Sequence, residues 1–176
     1  MIKSSHGFSL TELMVVIAII AIMALITAPS LVSGLPSYRI KAAVRDCTSQ
    51  LRNARQLAIK DKRNVTVTFD ADSQFFEVDG RRFPGKGSLD NQYGSGVGLG
   101  SGSATASVNG GSMPDDGIEL NDGSFTFTPR GLADFGAGTA AGAVYFTNNR
   151  GDAYAVAVNA AGAVTLMRWR GSGWTR

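Results

Sequence analysis

The sequence predicts an α+β fold: a long N-terminal helix, first apolar and then amphipathic, packed on a C-terminal antiparallel β-sandwich or curved sheet. Three observations carry this. Every side chain from Leu13 to Ile26 is apolar. From Ile40 to Ala58 apolar residues recur at three- and four-residue spacing, the period of one helix face. After Arg63 the period becomes two, in short segments separated by Gly, Asn and Asp. A chain of 176 residues allows one modest globular domain beside the hydrophobic segment.

The elements follow in order. Residues 1–7 form a short leader with one basic residue, Lys3. Residues 8–35 form the apolar helix, and Leu13 to Leu35, at about 1.5 Å per residue, is long enough to cross the ~30 Å of a bilayer core. Glu12 is the one acid in this stretch, and a lone carboxylate at mid-bilayer costs about 2.5 kcal/mol or more, so it calls for a partner. Pro29 removes a backbone donor, which predicts a kink or local melting of the helix, in a zone extended by Ser30, Ser33, Gly34 and Pro36. Residues 36–63 continue as an amphipathic helix. Ile40, Ala43, Val44, Cys47, Leu51, Ala54, Leu57 and Ala58 make its buried stripe, and Arg39, Arg45, Arg52, Arg55 and Lys62 fall largely elsewhere.

Residues 64–176 form the β-rich body. Val65, Val67 and Phe69 alternate with Thr66 and Thr68, and Asp70-Ala71-Asp72-Ser73 turns the chain into Phe75 to Val78, a hairpin. Residues 79–117 carry so many glycines that a long, mobile loop is expected, with one short strand around Ala104 to Val108. Strands are expected at Ile118–Leu120, Ser124–Pro129, Ala143–Thr147, Ala153–Asn159 and Ala163–Trp169. The last three make a meander through the turns Asn148-Asn149-Arg150-Gly151 and Asn159-Ala160-Ala161-Gly162.

Charge is unevenly spread. Arg39 to Arg63 holds eight Lys/Arg against Asp46 and Asp61, whereas Asn64 to Arg176 holds eight basic and eleven acidic residues. A basic stem on a mildly acidic body results, not a uniformly nucleic-acid-binding surface. The single Cys47 excludes an intramolecular disulfide, and as a small hydrophobe on the helix stripe it needs no chemistry. The only histidine is His6. Once the leader is removed, Ser-His and Cys-His catalysis are excluded, and zinc has few ligands left.

Three readings compete for the N-terminus. A secretory signal would cut after a small-x-small site such as Ala28-x-Ser30, against which stand Pro29 inside the site and Glu12. A plain anchor explains the apolar run but not Glu12. In the third, favoured reading the segment resembles the class III leader of type IV pilins and type II secretion pseudopilins. The matching residues are a short basic leader ending in Gly7, Phe8 as first mature residue, Glu12 four positions later, and Pro29 within the apolar helix.

The resemblance implies that a prepilin peptidase cuts between Gly7 and Phe8 and methylates the new Phe8 amine. It also implies that Glu12 pairs with the first amine of an adjacent subunit, which sets register because an unpaired charge in hydrocarbon is costly. In the body, Phe125-Thr126-Phe127-Thr128-Pro129-Arg130-Gly131, the strand at Val144, the Asn149-Arg150-Gly151 turn and a last strand after Gly162 resemble the GspH/FimT group of minor pseudopilins and minor pilins. The resemblance implies a non-catalytic subunit held by its helix in the bacterial inner membrane, single-pass, with its body in the periplasm. Its partners would be the peptidase, other pilins or pseudopilins of a filament, and secreted cargo. A minor pseudopilin of a type II secretion pseudopilus is favoured, and a type IV minor pilin with a DNA-binding role in uptake is the alternative.

Other candidates carry less. Asp115-Asp116 and Asn121-Asp122-Gly123 lack the ligand spacing of a calcium loop and read as turns. Arg150-Gly151-Asp152 reads as hairpin-turn composition. No residue set forms a convergent catalytic pocket, so no enzyme, metal or cofactor is expected. The tail interleaves Arg168, Trp169, Arg170, Trp174 and Arg176. Arginines can contact DNA phosphates while indoles stack on bases. The favoured reading is instead a last strand whose Trp169 joins the core, with Arg168 and Arg170 facing solvent and a frayed end.

Overall fold

A computed structural model describes residues 8–94, 96–136 and 138–176, and for residues 27–33 the backbone alone. The leader residue Gly7 lies outside them. Helix α1 (Leu10–Asp61) is helical through Pro29 and Pro36. Its first part belongs to a compact unit, Met1–Leu35, and the rest to a second unit, Pro36–Arg176.

In the first unit the Ser9 carbonyl accepts from the N–H groups of Glu12 (3.1 Å) and Leu13 (3.2 Å), opening the helix. The large apolar side chains from Leu10 to Ile26 are exposed.

The second unit is α+β, as expected, with two antiparallel sheets. In the first, β3 (Arg81–Phe83), β2 (Phe75–Val78), β1 (Val65–Asp70), β6 (Ser124–Phe127) and β7 (Ala133–Asp134) lie side by side in that order. The second sheet runs β11 (Trp174–Thr175), β10 (Val164–Trp169), β9 (Ala153–Asn159), β8 (Ala141–Thr147) and β4 (Gly98–Leu99). β5 (Ile118–Glu119) also pairs with β8. The expected hairpin pairs Val67 with Val78 and Phe69 with Phe76. The meander holds Val144 opposite Val156 and Leu166 opposite Val156 on β9's other side.

Helix stripe and sheets share one core. Ile40, Val44, Cys47, Leu51 and Ala58 pack with Val65, Val67 and Phe127 of the first sheet and with Phe146, Val156 and Val158 of the second. Leu57, expected on the stripe, is half-buried at its margin.

The helix ends two residues before the expected boundary, at Asp61. Lys62 adopts φ 52°, and Arg63 N–H returns to the Ala58 carbonyl at 3.2 Å. This is the left-handed cap that satisfies terminal carbonyls, made here without glycine.

Residues 79–117 are more structured than expected. They contain β3, helix α2 (Leu89–Tyr93) and β4, with Leu89 and Val97 fully buried. The expected strand at Ala104–Val108 is absent; these residues form bends and turns. Their polar groups go elsewhere: Ser107 N–H to the Gly111 carbonyl (2.9 Å) and Val108 N–H to the Tyr145 hydroxyl (2.8 Å). The segment thus straps the outer face of the second sheet, where Ala143, Tyr145 and Ala155 are buried. Ala104, Ala106 and Val108 pack against the sheet without forming a ladder, and Ser107 between them is buried as well.

Candidate functional site

Two regions carry the candidate residues: the apolar start of α1 and the second unit's surface and anchors. Phe8, the expected first mature residue, is 80% exposed. Glu12 sits in the first turn of α1, where an acid complements the positive end of the helix. Its carboxylate has no hydrogen-bond or ion-pair partner among the described residues. Among the described residues, no helix is long and apolar enough to cross a membrane. The described apolar run, Leu13 to Ile26, falls short of the roughly 20 residues a span needs, and the expected remainder to Leu35 includes residues whose side chains are not described.

The C-terminal tail folds back as a hairpin, β10 to β11, instead of fraying. Trp169 is 8% exposed and meets Trp174 edge-on at 5.3 Å between ring centroids. The Trp174 indole N–H donates to the Ala106 carbonyl at 2.7 Å, and its ring lies 5.3 Å from that of Tyr145. Trp169 joins a satellite cluster under the strap with Ala104 and Ala153, not the central core. Both indoles named as base-stacking candidates are thus engaged in packing. Arg168 lies 3.6 Å from Asp152 and over the Tyr154 ring, while Arg170 and Arg176 are exposed.

Asp152 is a hub of polar contacts. It accepts from the Ser37 hydroxyl (2.9 Å) near the start of the second unit and from the Asn148 side-chain amide (3.0 Å). Asn148 Oδ1 in turn accepts from the N–H groups of Arg150 and Asp152, shaping the turn. Burial pushes the Asp152 pKa up. The hydrogen bonds from Asn148 and Ser37, with the Arg168 charge, outweigh this and leave it below the usual carboxylate value.

Cys47 is fully buried, and burial, reinforced by the Asp46 carboxylate, raises its thiol pKa strongly. It therefore stays a protonated, inert thiol. Asp116 spends its carboxylate on the Ile118 N–H at 2.9 Å, and Asp122 holds a left-handed turn at φ 51°. Both acidic candidates are turn residues. No group of three His, Cys, Asp or Glu that could hold a metal occurs among the described residues.

Several anchors were not legible in the sequence. Arg55 Nε donates to the Gly131 carbonyl (2.8 Å) and its Nη2 to the Ala161 carbonyl (3.1 Å), binding α1 to one turn from each sheet. Tyr145, fully buried, donates to Glu119 at 2.6 Å while accepting from Val108, so one hydroxyl pins the strap. Tyr93 of α2 donates to Asp46 at 2.7 Å. The only available signal was residue type, an Arg or Tyr at a helix margin or mid-strand.

Comparison with known proteins bears on the two regions separately. Residues 2–28 match the prokaryotic N-terminal methylation motif. Residues 43–162 match the family described as type II transport protein GspH. No curated protein sequence matches. Among solved structures, the type IV minor pilin FimU of Pseudomonas aeruginosa (strain PAO1) is similar, with a TM-score of 0.49 and 13% identity over 80% of this chain and 95% of that one. With more than half of its length matched, from residue 43 to residue 162, and a methylation motif ahead of it, the chain belongs to the GspH family of type IV pilin-like proteins.

Proposed function

We propose that the chain is a non-catalytic minor pseudopilin of a type II secretion pseudopilus. In this reading prepilin peptidase cuts between Gly7 and Phe8 and methylates the Phe8 amine. The apolar helix holds the subunit in the inner membrane and then enters the filament core among other pseudopilins. Glu12 sets register by pairing with a neighbour's first amine, and Pro29 marks a kink in the helix. The body sits in the periplasm, where it meets neighbouring subunits or secreted cargo.

The observation that carries the reading is the GspH match over residues 43–162 behind a methylation motif at 2–28. The exposed apolar face from Leu10 to Ile26 supports it, because so much apolar surface calls for lipid or a neighbouring helix. Glu12 beside that face fits a paired charge.

The test is co-expression with a prepilin peptidase, followed by mass spectrometry of the N-terminus. A chain starting at methylated Phe8 is expected; a Met1 terminus or a cut near Ser30 would refute the leader reading. Deleting the gene in its own host then separates the machines. Loss of protein secretion is expected, whereas lost pilus function with intact secretion would assign the chain to a type IV pilus instead.

A further inference from the structure

The end of the second unit at which α1 enters is basic. The unit begins at Pro36, and Arg39, Lys41 and Arg45 follow within the next three turns of the helix. At about 1.5 Å per residue, Lys41 and Arg45 stand roughly 7.5 Å and 13.5 Å beyond Pro36. The fold brings further positive charge to the same end. The Ser37 hydroxyl donates to Asp152 at 2.9 Å, which sets the exposed Arg150 of the β8–β9 turn beside the start of the unit. Arg168 lies 3.6 Å from Asp152 and over the Tyr154 ring, and the charges of Arg168, Arg170 and Arg45 all act on the Tyr154 hydroxyl.

The acids at this end are already engaged. Asp152 holds Ser37, Asn148 and Arg168. Asp46 accepts from the Tyr93 hydroxyl of α2 at 2.7 Å, and Asp90 of the same short helix accepts from the Ser88 hydroxyl. Lys41, Arg45, Arg150 and Arg170 have no ion-pair partner among the described residues. Beside them Tyr38 is 71% exposed, with the Lys41 ammonium 5.8 Å from its ring centroid.

Basic residues that flank a span normally gather on its cytoplasmic side, where they set orientation. Here the leader holds only Lys3, whereas Arg39, Lys41 and Arg45 lie beyond the other end of the apolar segment. Orientation therefore does not account for them. A basic segment next to a span is drawn to anionic lipid over about one Debye length, ~8 Å at physiological salt, and a tyrosine ring suits the bilayer–water boundary. We propose that this end of the second unit, around Tyr38, Lys41, Arg45 and Arg170, is a contact surface for the anionic phospholipid headgroups of the leaflet from which the chain emerges. The inference rests on the reading of the apolar segment as a membrane span. Lys41, Arg45 and Arg170 meet headgroup phosphates, and Tyr38 lies at the boundary below them. The contact holds the body down on the bilayer until the subunit is drawn into a filament. A nucleic acid would also satisfy the charges, but it would leave both the exposed Tyr38 ring and the place of the patch, where the apolar segment joins the unit, without a role.

The test places the full chain in phosphatidylcholine bilayers with a trace of spin-labelled phosphatidylglycerol or spin-labelled phosphatidylcholine, and measures by electron spin resonance the fraction of each lipid that the protein immobilises. A preference for phosphatidylglycerol of about threefold or more is expected. It should fall toward one in 1 M salt, where the Debye length shrinks to about 3 Å, and in the Lys41→Glu/Arg170→Glu variant. Lys60→Glu/Lys62→Glu makes the same change of charge at two exposed positions, with Lys60 about 28 Å further along α1 than Lys41, and should keep the preference. Equal immobilisation of the two lipids by the unaltered chain would overturn the proposal and leave the span standing. So would equal loss of preference in the two double variants, which would make the effect one of net charge. Duplex DNA bound through Lys41 and Arg170, with no lipid preference, would reassign the surface to a nucleic acid. Immobilisation of neither lipid would refute the membrane reading itself and the proposal with it.

Discussion

Asp152 shows how one side chain organises a region distant in sequence. Its carboxylate joins Ser37, Asn148 and Arg168, which come from α1, the β8–β9 turn and β10. Replacing it with alanine leaves three partners without their acceptor and is expected to cost about 1–3 kcal/mol, read as a lower denaturant midpoint. The same residue gives a pH dependence with a definite sign. Its folded pKa lies below its ordinary value, so the stability it contributes is complete above the ordinary carboxylate range. That contribution is lost as the pH falls through the folded value. Asp152→Asn should therefore flatten the acid limb of a stability-versus-pH curve, and an unchanged limb would remove Asp152 from the account.

At the scale of elements, two contacts decide how the layers meet. Gly162 has φ +72°, and a Cβ there would sit 2.1 Å from the Gly131 carbonyl oxygen and 2.8 Å from Arg55 Nε. The turns of the two sheets close on each other at this point, with Arg55 between them. Gly162→Ala should cost about 1–3 kcal/mol in strain and displaced backbone. Gly171→Ala, also at positive φ (+87°) but with nothing within 4 Å, should cost less; equal losses in thermal melting would show that close approach is irrelevant. Tyr145 does for the strap what Arg55 does for the turns. Tyr145→Phe removes the hydroxyl bonded to Glu119 and Val108 and leaves both unsatisfied, at about 1–3 kcal/mol. Faster amide exchange across residues 101–116 is expected, with the first sheet unaffected.

At the scale of the whole chain, the division into two units means that mutations in one should separate from mutations in the other. Glu12→Ala is expected to leave the melting of the body unchanged and yet abolish incorporation into filaments, measured by co-purification with neighbouring subunits. Normal incorporation would refute the register role. What the sequence determined by itself is whatever depends on neighbours close in the chain. The apolar run to Ile26, the stripe from Ile40 to Ala58 and the two-residue period of Val65, Val67 and Phe69 are local patterns, and each pattern implies its element. The methylation motif is legible for the same reason, being a contiguous string. Only the tertiary structure decided that residues 101–116 are a strap and not a strand, that the tail returns as β11, and that Asp152 faces inward. These depend on pairs such as Ser37 with Asp152 or Trp174 with Ala106, brought together by the stacking of two sheets on one helix, and no local periodicity encodes such a meeting.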